Sequence, residues 1–297
     1  MENGYYFESH DGKKIFVREW TPDGTPVGVV QIFHGMAEHS GRYAKLAEYL
    51  NESGYLVFAD DHRAHGNTDK DTLGYCDGDI WNDTLGDEEI LNKKYRDLYP
   101  QLPYVILGHS YGSFLLQAYI ERVDNSLFDG VILSGSAKMQ GAQVTFGKLV
   151  ASLSKEKKPA EFIKKMSFDA YNKKFSEGSF VSGLKEETKR YYADEFCGFV
   201  CSNNFYKRFF GGLKGIYSAK NLAKINKNMP ILLFSGQQDP VGNFGKSVKA
   251  LYDTYVKVGL SDVRIKLFPD SRHEVLNDVS REEGLTVLKD FITAIKR

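Results

Sequence analysis

Cysteine is scarce in this 297-residue chain: Cys76, Cys197 and Cys201 are all it has. An odd number without framework spacing argues against a disulfide-stapled scaffold and points to a reducing, cytoplasmic setting. Cys197 and Cys201 lie four apart, but no histidine follows closely, so no metal site is expected. Long apolar runs are missing too. Runs such as residues 29–33 are strand-sized, far short of the roughly 20 residues that span a bilayer. Residues 1–10 contain no basic or apolar stretch, so no secretory leader is expected. Net charge is also absent, because 39 Lys and Arg balance 39 Asp and Glu. No nucleic-acid partner is expected. The zero hides an asymmetry, however. Residues 138–228 hold eighteen basic and eight acidic side chains, an excess of ten that the remainder cancels. No internal repeat or low-complexity segment is evident, and nothing in the chain reports an oligomeric state.

What is present is an alternation. Two β-rich runs, residues 5–9 and 14–20, flank Asp11-Gly12 and predict an opening hairpin. Further strands are predicted at 27–33, 55–59, 103–107, 128–133, 230–235 and 263–268. Helices are predicted between them: Tyr43, Leu46, Ala47 and Leu50 recur at helical spacing, residues 86–99 follow, and 285–295 form the last. Strands alternating with helices imply an α/β domain with a mostly parallel sheet covered on both faces. The gap between Leu133 and Pro230 breaks this rhythm. It is rich in lysine and aromatics, with fifteen aromatics from Phe146 to Tyr217, and opens with Phe146, Leu149, Val150 and Leu153 at helical spacing. The expected organisation is a core of residues 1–136 and 229–297 with a mainly helical cap, 137–228, inserted over the site.

Gly108-His109-Ser110-Tyr111-Gly112 falls between a predicted strand and a predicted helix. Gly-x-Ser-x-Gly in that context is the signature of a nucleophile elbow: a sharp turn exposes the serine, and the helix start offers free N–H groups to a developing oxyanion. A serine needs a base. Of seven histidines only His273 follows Ser110, in a loop leaving the last strand. Asp239, just past the strand at 230–235, is the preferred acid, with Asp262 and Asp270 as rivals. Asp262 precedes its strand, and Asp270 is close enough to His273 to be a loop-shaping residue. The oxyanion donors are expected to be the backbone N–H groups of Tyr111 and Met36, with His34 and Gly35 allowing close approach. His34, Gly35, Phe146 and Leu149 are expected to bind substrate.

Longer stretches carry a resemblance: residues 34–43 (HGMAEHSGRY), 61–68 (DHRAHGNT), 239–245 (DPVGNFG), 273–278 (HEVLND), and Cys197-Gly198-Phe199 with Asn203-Asn204-Phe205. The chain resembles, over nearly its whole length, the α/β-hydrolases grouped as monoacylglycerol lipases and bacterial lysophospholipases, also labelled serine aminopeptidases. Ala64 and Thr68 depart from the family's usual Gly and Ser. The resemblance implies the α/β-hydrolase fold, Ser110 as nucleophile with Asp239 and His273 as partners, Met36 and Tyr111 as oxyanion donors, and no metal or organic cofactor. It implies a serine esterase acting on a single-chain lipid ester through an acyl-Ser110 intermediate. A peptidase or thioesterase on the same residues and a non-catalytic binding protein are the alternatives. The basic cap adds an expected weak contact with anionic membrane.

Overall fold

The computed structural model describes residues 1–297. The opening strands β1 (Glu2–Glu8) and β2 (Lys14–Trp20) pair as an antiparallel hairpin. Then come β3 (Gly28–Phe33), α1 (Ala44–Asn51), β4 (Tyr55–Asp60), α2 (Ile80–Leu98), β5 (Tyr104–His109), α3 (Tyr111–Ile120) and β6 (Gly130–Ser134). Helices α4 (Ala142–Ser152), α5 (Glu161–Met166), α6 (Phe168–Asn172), α7 (Lys185–Ala193), α8 (Asn203–Leu213) and α9 (Ala219–Leu222) all lie between β6 and β7 (Ile231–Gly236). The chain closes with α10 (Lys246–Lys257), β8 (Val263–Phe268) and α11 (Arg281–Ala294).

One eight-stranded sheet runs in the order β1-β2-β4-β3-β5-β6-β7-β8. β2 pairs antiparallel with β4, and every pairing from β4 to β8 is parallel. Strands β3 to β7 are buried from end to end. Continuous apolar runs suit strands covered on both faces. Alternate residues serve opposite layers. Val29, Leu56, Phe58, Ile106 and Leu133 pack with α2, α3 and α10, while Val30, Val57, Ala59, Val105 and Leu107 pack with α1 and α11. Strand order reverses between β4-β3 and β5, so a crevice opens beyond the carboxyl ends of β3 and β5.

Two helices start earlier than their apolar periodicity predicts. α2 begins at Ile80, because Asp79 accepts from the Asn82 N–H and caps a first turn whose Ile80 and Trp81 already reach the core. α11 begins at Arg281, where Glu282 and Glu283 complement the helix dipole without contributing to the apolar face.

Candidate active site

Ser110 sits at the switch point, between β5 and α3, with φ 50° and ψ −115°. Two close approaches hold this conformation. A Cβ on Gly108 would stand 2.6 Å from the Gly112 carbonyl, and one on Gly112 would stand 2.0 Å from that of Phe33. Only glycine fits at either position. The Ser110 N–H donates to the Ser134 carbonyl at 2.9 Å, anchoring the turn to β6.

Asp239 and His273 come from the loops after β7 and β8. Both are buried, and His273 Nδ1 stands 2.9 Å from Asp239 Oδ2. The other carboxylate oxygen accepts from the Val241 N–H at 2.8 Å. Asp262 is taken by Arg264, and Asp270 is exposed. Burial opposes a charge on His273. The Asp239 charge and its hydrogen bond outweigh that and raise the imidazole above its ordinary 6.5. His109 beside it is lowered by burial and by the His273 charge.

Backbone N–H groups near Ser110 divide into two kinds. That of Gly35 donates to the Glu38 carboxylate and that of Ala37 to His65 Nε2. Those of Met36 and Tyr111 donate to no protein acceptor. Tyr111 is the first residue of α3, so its N–H is one of the orphan donors of a helix start.

Two cavities meet at Ser110, and Met36 and Phe168 also line both. The larger, about 550 Å³, is walled by Phe114, Phe146, Val150, Phe162, Phe209 and Phe210 among others. The smaller, about 160 Å³, has a more polar wall that includes Gly35, Glu38, His109, Asn172, Tyr191 and His273. Arg42 joins Glu38 to Glu274 behind this wall, bidentate to Glu274 at 2.6 and 2.7 Å. Burial would raise Glu274, but Arg42 overrides it and holds the carboxyl at about 2.

Two expected substrate contacts are corrected. His34 is fully buried and lines neither cavity. Its Nδ1 meets the Gly35 carbonyl at 2.7 Å, its Nε2 accepts from the His62 N–H, and its ring stacks on His62. Leu149 also lines neither cavity. Phe146, itself half-exposed, and Val150, four apart on α4, line the larger cavity, whereas Leu149 and Leu153 lie outside it. Sequence reasoning assigned no role to Arg42, His65 or Tyr191. Arg42 lies inside a quoted motif, but its partner Glu274 is 232 residues away.

Two clusters gather metal-type ligands, Asp60-His62-Glu88 and His39-Asp194-Cys197, and neither lines the cavities. In the first, burial and the Asp60 carboxylate push the Glu88 carboxyl well above the usual carboxylate range. In the second, His39 Nδ1 accepts from the Gly41 N–H, so Nε2 carries the proton that faces Asp194.

The family model described as serine aminopeptidase, S33, matches residues 24–280. A monoglyceride lipase homolog of monkeypox virus is 30% identical over 292 residues, covering 96% of this chain and 95% of that protein. The monoacylglycerol lipase of Mycolicibacterium smegmatis is 27% identical over 293 residues, covering 97% of this chain and 96% of that protein. Among solved structures, a thermostable carboxyl esterase from Bacillus coagulans in complex with glycerol superposes with a TM-score of 0.88 at 27% identity, covering 99% of this chain and 98% of its own.

Proposed function

The chain belongs to the serine aminopeptidase S33 family of α/β-hydrolases and, within it, to the monoacylglycerol lipases; from that premise we propose that this carboxylic ester hydrolase cleaves single-chain lipid esters through an acyl-Ser110 intermediate. One observation carries the proposal: Ser110 stands where a large apolar cavity meets a smaller one with a more polar wall. An acyl chain fits the first, and a glycerol or lysophospholipid headgroup the second.

In this reading His273 Nε2 takes the Ser110 Oγ proton as the oxygen attacks the ester carbonyl. Asp239 holds the Nδ1–H and stabilises the imidazolium. The carbonyl oxygen becomes an oxyanion and accepts from the free N–H groups of Met36 and Tyr111. The tetrahedral species collapses, and His273 returns the proton to the leaving alcohol. Water then attacks the acyl carbon as it gives a proton to His273, and the fatty acid leaves as His273 returns that proton to Ser110 Oγ. No step requires a cofactor.

The family description also names aminopeptidases. A peptide's terminal ammonium needs an unpaired carboxylate. Those of the smaller cavity are engaged: Glu38 and Glu274 by Arg42, Asp169 by Lys164. Their pairing favours a neutral alcohol part. A panel of monoacylglycerols, lysophospholipids, aryl esters, acyl thioesters and aminoacyl amides tests this. Monoacylglycerol or lysophospholipid should lead in kcat/KM, and a leading aminoacyl amide or thioester would reverse the assignment.

Half-exposed Phe146, Phe162, Met166 and Phe244 rim the large cavity, beside Lys165 and Lys174. This rim, all but Phe244 within the basic segment 138–228, supports weak contact with anionic membrane. No helix is long and apolar enough to cross a membrane. Three free cysteines support a cytoplasmic setting.

A further inference from the structure

Ala37, next to Met36, has a φ of 55°. A residue with a side chain stays in this left-handed region only when its surroundings hold it there. Here both of its polar groups are held. The N–H donates to His65 Nε2 at 3.1 Å. The carbonyl accepts from the Tyr191 hydroxyl and the Gly198 N–H, each at 2.9 Å. The first partner comes from the loop after β4, and the other two from α7 and the loop beyond it.

His65 is fully buried and lines neither cavity, so it is out of reach of substrate. Its Nδ1 stands 2.9 Å from the Arg63 carbonyl. A carbonyl only accepts, so Nδ1 carries the proton and Nε2 is left as the acceptor that Ala37 needs. Burial pushes the ring's pKa down to about 3, which keeps this tautomer neutral at any working pH. The ring also stacks on Tyr111, with centroids 6.2 Å apart and planes 16° from parallel. One imidazole thus touches both chain segments that present free N–H groups beside Ser110.

We infer that His65 is a positioning residue for the oxyanion hole, locking the Met36–Ala37 peptide so that the Met36 N–H keeps its aim, with Tyr191 bracing the adjoining Ala37–Glu38 peptide. The inference rests on the reading of Met36 and Tyr111 as oxyanion donors. His65 binds no substrate and moves no proton. Its contribution is to pre-pay the ordering of a loop that would otherwise relax when charge develops.

His65→Phe tests this by keeping a ring against Tyr111 while removing the acceptor. His65→Gln places an amide oxygen within reach of the Ala37 N–H. Both are assayed on an aryl octanoate and against an octyl trifluoromethyl ketone, whose hemiketal on Ser110 carries the oxyanion. For His65→Phe, kcat should fall by about 10²-fold, the scale of a misplaced catalytic contact. KM should stay within about threefold, and ketone affinity should fall by about the same factor as kcat/KM. His65→Gln should recover most of the loss. A His65→Phe enzyme with nearly full kcat, or one that loses kcat without losing ketone affinity, would overturn the inference. Should His65→Phe fail to fold, Tyr191→Phe carries the same paired readout, because it removes the hydroxyl from the Ala37 carbonyl and leaves the ring over Arg42. Ser110→Ala separates the two levels. If it stays active, the oxyanion reading itself falls; if it is dead while His65→Phe is normal, only the His65 inference falls.

Discussion

Ser110, Asp239 and His273 differ in what each loss should cost. Ser110→Ala removes the nucleophile from a turn built by its neighbours, so the fold should survive and turnover should drop by about 10⁶. Retention of more than a few per cent of activity in the purified variant would contradict the assignment. Asp239→Asn should cost about 10⁴ by presenting the wrong histidine tautomer. Asp270→Asn, at an exposed position, should cost far less, and the reverse ranking would transfer the acid role. The pH profile follows from the raised imidazole. His273 acts as a base only when neutral, so kcat/KM should fall as pH drops through its pKa. The midpoint of that acid limb should lie above 6.5, the ordinary imidazole value. In Asp239→Asn the attraction is gone and burial is left, so the residual activity's limb should move to lower pH. An unmoved limb would assign it to another group. These three could be picked from the sequence because chain order and strand ends constrain the choice. His65 and Tyr191 could not, because their shared partner, Ala37, lies 28 and 154 residues away and no local pattern encodes that meeting.

Strands were the most legible elements, since a buried parallel strand is a continuous apolar run whatever its neighbours do. Helices α4 to α9 were legible only as a group. Five-residue α6, with no buried residue, has no stripe to read. In α4 the apolar stripe was visible, but which half faces the cavity depends on how the helix sits on α8. That geometry sets the acyl preference. With Phe146 and Val150 on the cavity wall, kcat/KM should rise from acetate to at least octanoate, as each buried methylene contributes about 0.8 kcal/mol. Val150→Trp should cut the octanoate rate while sparing acetate, and a uniform loss would remove α4 from the acyl site. A second contact has no slack. A Cβ on Gly212 of α8 would stand 2.1 Å from the buried Trp81 indole on α2. Gly212→Val should therefore destabilise by about 1–3 kcal/mol, seen as a lower thermal midpoint. An unchanged midpoint would mean that Trp81 can swing aside.

At the scale of the molecule, zero net charge conceals a basic segment against an acidic remainder. Binding to anionic vesicles should be weak, stronger than to neutral ones, and should fade as salt rises from about 0.05 to 0.5 M. Equal co-sedimentation with both lipids, or none with either at low salt, would leave the asymmetry without this role. The segment is also stitched to the site. The main-chain N–H groups of His273 and Glu274 donate to the carbonyls of Phe180 and Val181, at 3.1 and 2.9 Å. The base's own backbone is therefore hydrogen-bonded to the segment that covers it. Any excursion that peeled residues 180–181 away would unhook the base at the same moment, so an open enzyme would be an idle one. In amide-exchange terms, His273 and Glu274 should share one opening rate with the inserted segment rather than with the sheet below, and product escape must use a route that leaves those two hydrogen bonds intact.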